Sequence, residues 1–363
     1  AANSDGSYDG LFSAHTYTYT LTKYGYVAQS GEVPAAGGAV NINLVRASDT
    51  GIEDVGAYWK NFRNSDENMA ITDAELPIVK EDTELLWNKK LGEGWTAAPS
   101  VQIIVDNALI VMSNTSIYKL NLVTGDILAT GQMVAAPDWG YTPPTYAEGM
   151  IFAPLQNGTI QAFNAKTLES VWVYRDNLKG QSLSPIAYSD GYIYTGFWNS
   201  ETGNANFVCL SVTDEDPSQP NEAKIASWKH TQPGGFYWAG AVVIGDAVIV
   251  GTDDGQSGDS DPAKVYSFNK YTGEMISELD VIGDQRSSIA YDKASGKIYF
   301  TTKCGYLYSA SVNAKTGVLS NLKGVKQVND ENRNVMTTST PVVYDGKVYL
   351  GIGQYFQKGW VLV

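Results

Sequence analysis

A unit of roughly 42 to 55 residues recurs along most of this chain, and no other feature restricts its fold as strongly. Each copy has a strand often opened by Ser/Thr-Pro, a turn bearing Gly, Asp or Asn, and a strand alternating aromatic and aliphatic residues. A second turn, a third strand and the run Asn-x-x-Thr-Gly follow. The most regular copy runs from Ser184-Pro185 to Gly191 and on through Tyr192-Ile193-Tyr194-Thr195-Gly196. Other copies align on Asp106-Asn107 with Asn121 and Thr124-Gly125, on Glu148-Gly149 with Asn164 and Thr167-Leu168, and on Gly245-Asp246 with Asn269 and Thr272-Gly273. The last two carry Ser295-Gly296 with Thr316-Gly317, and Thr340-Pro341 with Asp345-Gly346.

Each anchor has a physical use. Asp-Gly and Asn-type pairs supply the positive-φ residues of two-residue hairpins, and Thr-Gly turns the chain into an outer strand. The spacing is that of a four-stranded propeller blade, since coils of a parallel β-helix are much shorter. The 23 Tyr, 9 Trp and 36 Gly suit strands and tight turns. The expected fold is therefore all-β, a β-propeller of about six four-stranded blades, with seven if residues 55–80 add strands or the chain runs on. The sixth copy holds three strands, and Glu84-Leu85-Leu86-Trp87 reads as a fourth. An N-terminal strand near residues 83–90 is thus expected to close the ring and remove its open edges.

Three regions follow: a small β segment over residues 1–50, a lead-in over 51–82, and the propeller over 83–363. Residues 1–50 alternate at Tyr17-Thr18-Tyr19-Thr20-Leu21 and at Val40-Asn41-Ile42-Asn43-Leu44, a hairpin or partial β-sandwich. Trp59 and Phe62, lone aromatics in the polar lead-in, are expected to cap the propeller's bottom or side.

The repeat resembles the pyrroloquinoline-quinone (PQQ) type propeller repeat, whose outer strands tend to end on Trp after the Thr-Gly turn. Trp87, Trp172 and Trp228 stand at that place, and Leu128, Met275 or Ile276, and Leu319 replace it elsewhere. Quinoprotein dehydrogenases of this kind hold PQQ between a Trp and a vicinal disulfide, with calcium held by Glu, Asn and Asp. Here the two cysteines, Cys209 and Cys304, fall in different repeats, so PQQ is not expected. The resemblance is instead to non-catalytic bacterial members, secreted or on the cell surface. The N-terminal segment is similar to a carboxypeptidase-regulatory or PEGA-like β domain.

A net charge of −14 argues against a phosphate-binding surface of clustered Lys and Arg, hence against a nucleic-acid partner. No apolar run approaches the roughly 18 residues of a membrane helix, so no membrane insertion by this chain is expected. Two histidines, His15 and His230, provide neither a zinc motif nor a triad.

Loops entering the innermost strands, with those joining second to third strands, gather at one mouth of a propeller's channel. The expected ligand-binding set there is Trp95, Trp139, Tyr141, Gln181, Phe236, Tyr237, Trp238, Arg286 and Arg333. Flat rings beside amide and guanidinium donors suit sugars, peptides or protein loops; the same rings would equally serve to plug the channel. Asp253, Asp254, Asp259 and Asp261 form an acidic loop that suits calcium or a solvated hairpin tip. The expectation is a non-enzymatic monomer, extracellular or on the cell surface, that binds or scaffolds protein or glycan through one face; the alternative is a PQQ-dependent dehydrogenase.

Overall fold

A computed structural model of the protein describes residues 17–21, 29–33, 52–75, 77–94, 99–139, 142–257, 261–328, 334–353 and 359–363. Six blade sheets follow one another in sequence order. Blade 1 is built on Ile103–Val105, Ala108–Ser113, Ser116–Asn121 and Ile127–Gln132, and blade 2 on Thr145–Ala147, Met150–Leu155, Thr159–Asn164 and Ser170–Arg175. Blade 3 comprises Ala187–Ser189, Tyr192–Gly196, Asn204–Ser211 and Trp228–Pro233, and blade 4 comprises Val242–Ile244, Ala247–Gly251, Pro262–Asn269 and Met275–Ile282. Blade 5 has Ala290–Asp292, Lys297–Thr302, Tyr306–Val312 and Leu319–Lys326; blade 6 has Val342–Tyr344, Lys347–Gly353 and Gly359–Leu362. A short strand, Glu222–Lys224, from the long excursion of blade 3 adds in parallel to the edge of blade 2.

The turn chemistry dictates this geometry. Asp106 and Asn107 both have positive φ, as do Glu148-Gly149, Asp190-Gly191 and Asp345-Gly346, which is the backbone of a two-residue hairpin matched to strand twist. In the Asn-x-x-Thr-Gly turn, Asn121 Oδ1 accepts from the amides of Val123 and Thr124, and its carbonyl accepts from Gly125 N–H. Asn164, Asn269 and Asn313 make the same side-chain turn. Asn recurs in the repeat because its short amide satisfies two backbone donors at once.

Apolar packing joins each blade to the next. Separate buried clusters bridge blades 1 and 2, 2 and 3, 3 and 4, 4 and 5, and 5 and 6. The outer-strand tryptophans lock these seams. Trp228 of blade 3 donates Nε1–H to Lys270 O of blade 4 at 2.9 Å and covers Gly273, while Trp172 donates across to Val212 O. Ile276 takes the place of Trp over Gly317.

Two expectations need correction. Residues 83–90 carry no strand, so the pairing expected to close blade 6 is not formed, and blade 6 has three strands among the described residues. Trp87 nevertheless lies over Gly125 and donates to Leu122 O at 2.9 Å, the position an outer-strand Trp takes on the blade after it. The lead-in, for its part, does more than cap an end: residues 52–56 lie against the hairpin turns of blades 1 and 2, and the residues after them run along the inner strands. Ala57–Trp59 pairs with the inner strand of blade 1, Lys60 O accepts from Tyr146 of blade 2, and Phe62 lies beside Pro185 of blade 3. Arg63 donates to Thr340 O and Pro341 O of blade 6. Asn68 donates to Ala241 O and Ile289 O, at the entries of blades 4 and 5. One segment thus touches the inner edge of all six blades. Unpaired polar backbone in a channel is costly, and this segment supplies the missing partners.

Tyr17–Leu21 pairs antiparallel with Gln29–Val33, a strand not expected from the alternation pattern. The strand expected at residues 40–44 lies outside the described residues.

Candidate recognition site at the channel mouth

With the lead-in rising through the channel, Phe62 becomes a floor. Above it lies a cavity of about 560 Å³, lined by Phe62, Trp139, Thr142, Leu183, Pro185, Tyr237, Trp238, Arg286, Ser288, Thr338 and Thr340. Five of the loops that enter inner strands, those of blades 2 to 6, contribute to it. Its size falls within the roughly 300–1,000 Å³ of small-ligand pockets.

Trp139 and Trp238 reach the cavity from left-handed backbone, with φ of 53° and 59°. Large side chains avoid this region, at a cost of about 1–3 kcal/mol each, and such strain clusters at ligand clamps. Trp139 is 49% exposed. Tyr237 stacks on Trp238 at 4.3 Å between centroids and on Trp198 at 4.4 Å.

Arg286 fixes this stack. Its guanidinium lies 4.8 Å from the Tyr237 ring centre. Its Nη2 sits 2.6 Å from Glu201 Oε2, 2.7 Å from Asp253 Oδ2 and 3.0 Å from Asp284 Oδ2, the last a charge contact without hydrogen-bond alignment. Nε also donates to Asp253, whose Oδ2 accepts Trp198 Nε1–H as well. The four residues come from the second-to-third-strand loops of blades 3 and 4 and the entry loop of blade 5. Burial holds the Asp253 carboxyl up at about 7 and that of Asp284 at about 6, against the opposing pull of Arg286. Burial disfavours the Arg286 charge, yet the three carboxylates outweigh it and raise its pKa.

Of the expected ligand-binding residues, the structure brings Trp139, Tyr237, Trp238 and Arg286 together around one cavity. Phe236 and Gln181 are corrections. Phe236 is fully buried, packed on Phe207 and under Gly196 in the seam of blades 3 and 4. Gln181 exchanges two backbone hydrogen bonds with Trp198 and does not line the cavity. Trp95, Tyr141 and Arg333 lie outside the described residues. Trp198 and Glu201 were missed, although they occupy a second-to-third-strand loop of the kind expected at the mouth; the hydroxyls of Ser288, Thr338 and Thr340 gave no signal beyond position.

The expected calcium set does not assemble as one group. Asp253 turns inward to Arg286, whereas Asp254 accepts from the amides of Gln256 and Asp261. Asp259 lies outside the described residues. Glu201, Asp253 and Asp284 come within 4.8 Å of one another instead, with a guanidinium nitrogen among their oxygens where a cation would sit. Nor do the residues present fit PQQ as quinoprotein dehydrogenases hold it. Cys209, buried in blade 3, and Cys304, in a turn of blade 5, are both free, so there is no vicinal disulfide.

The fold and the cavity together define a β-propeller with a blind, aromatic mouth. Residues 72–202 match the repeat family described as outer membrane protein assembly factor BamB, so this part of the chain carries repeats of the PQQ-like kind. A europium-containing methanol dehydrogenase aligns over 82% of this chain and 69% of its own, with a TM-score of 0.59 and 12% identity. Quinohemoprotein alcohol dehydrogenases from Pseudomonas putida HK5 and Comamonas testosteroni align at TM-scores of 0.57, with 14% and 13% identity, over 82% and 81% of this chain. The chain spans 57% of each quinohemoprotein. At these identities the likeness is one of fold. No curated protein matches. No helix among the described residues is long and apolar enough to cross a membrane.

Proposed function

We propose that this protein is a non-enzymatic binding propeller, secreted or displayed at the cell surface, that recognises protein or glycan through the cavity at its channel mouth. One observation carries the reading: three aromatic side chains, two on strained backbone, surround a cavity whose floor is closed by the chain's own lead-in. Strain of this kind is retained where it orients a side chain for a task.

The carboxylates nearby do not favour catalysis. Asp253 and Asp284 are fully buried and bound to Arg286, and none of Glu201, Asp253 and Asp284 lines the cavity. A general acid must reach the bond it protonates.

The experiment is a screen of the wild-type protein and the double variant Trp139→Ala/Trp238→Ala against arrayed glycans and extracellular proteins. Loss of a wild-type signal in the double variant, with melting temperature kept, supports the reading; a signal indifferent to both residues refutes it. The dehydrogenase alternative, favoured only by likeness of fold, is tested by adding PQQ and calcium and following cofactor absorbance and dye reduction. Turnover there would overturn the non-enzymatic reading.

A further inference from the structure

We propose that the mouth selects uncharged sugar rings and turns away anionic ligands. This rests on the binding role given above to the same cavity, and it specifies the ligand class. Three features of the lining lead to it.

First, the largest surfaces offered are the faces of Trp139, Tyr237 and Trp238, which suit the apolar C–H face of a pyranose. Second, the polar groups are neutral hydroxyls. Ser288 Oγ accepts from Gly240 N–H, and Thr340 Oγ1 accepts from Ser288 N–H. A hydroxyl that accepts in this way still has its own proton to donate to a ligand oxygen.

Third, the electrostatics oppose a negative ligand. Arg286 is the sole charged residue in the described lining, and it would ordinarily attract a carboxylate or phosphate. Its Nε and Nη2 are instead committed to Asp253, Glu201 and Asp284. An incoming anion would meet a guanidinium whose charge is already offset by three carboxyl groups lying behind it, outside the lining. Burial raises the Asp253 and Asp284 carboxyls to about 7 and about 6, so their protonation softens the repulsion as pH falls through that range. Arg286 therefore works as a positioning residue that holds the Tyr237 stack.

The test is calorimetric titration of wild type and Trp139→Ala with cellotriose and mannotriose, with trigalacturonic acid and 3′-sialyllactose, and with a mixed decapeptide pool, all at one ionic strength. The expected result is binding of at least one neutral trisaccharide that weakens about tenfold or more in Trp139→Ala, with the acidic sugars at least about tenfold weaker in wild type. Equal or tighter Trp139-dependent binding of an acidic sugar would overturn the selection while leaving the binding role intact. Trp139-dependent binding confined to peptides would do the same. If no probe binds in a Trp139-dependent way, both the selection and the binding role fall.

Discussion

Arg286 Nη2 lies 2.7 Å from Asp253 Oδ2, and the two side chains are 6% and 0% exposed, so this ion pair is almost entirely removed from water. It is the hub through which loops of blades 3, 4 and 5 hold one another at the mouth. Removing one partner of such a pair strands the other charge, which typically costs about 3–5 kcal/mol. Arg286→Met is expected to lose stability on that scale. Asp253→Asn, which keeps a hydrogen-bonding side chain, should lose less. Chemical denaturation midpoints of the two variants check the order.

The same cluster predicts a pH dependence. Asp253 and Asp284 have folded pKa values of about 7 and about 6, above the roughly 3.9 of an unfolded Asp. A carboxyl raised in this way contributes its stability fully below about 4 and loses it as pH rises through 6 to 7. His230 works in the opposite sense, because burial lowers its pKa and its contribution is lost as pH falls. The diagnostic quantity is therefore the difference between proteins: the destabilisation of Asp253→Asn relative to wild type should shrink as pH rises from 5 to 8. Thermal melts across that interval measure it.

A third prediction concerns the seams. A Cβ at Gly273 would lie 2.7 Å from the Trp228 ring, whereas one at Gly296 would meet nothing within 4 Å. Both glycines have positive φ, 73° and 65°, so backbone strain is common to the two alanine substitutions. Gly273→Ala should be the more destabilising by about 1–3 kcal/mol, the cost of overpacking. Comparing the two denaturation midpoints isolates the Trp contact.

The lead-in gives a fourth. Asn68 is 6% exposed and donates to carbonyls at the entries of two blades. Asn68→Ala leaves both acceptors without that partner inside the channel, at a cost of about 1–3 kcal/mol. Urea denaturation reads the loss, and a variant as stable as wild type would show that the segment is not a structural part of the channel.

The blades were legible in the sequence because their turns are local. Asp106-Asn107 and Asn121 to Gly125 set their own backbone through neighbours a few residues away. The lead-in was not legible: Ala57–Trp59 is too short to show a period, and Arg63 finds its partners 277 and 278 residues on. At the mouth, loop membership could be read but direction could not. Phe236 and Trp238 are two residues apart, and Gly235 and the positive φ of Trp238 send one into a seam and the other to the cavity. Asp253 was read with its acidic neighbours, yet its partner is Arg286, 33 residues away and in another blade's loop.

The central claim is that the cavity over Phe62 is where the ligand sits. A crystal structure of the protein soaked with whichever neutral trisaccharide binds in titration tests this most directly. The account predicts a sugar ring stacked on Trp139 or on the Tyr237–Trp238 face, with its oxygens toward Ser288 or Thr340. Sugar bound only on an outer blade edge, with the mouth left to solvent, would contradict it.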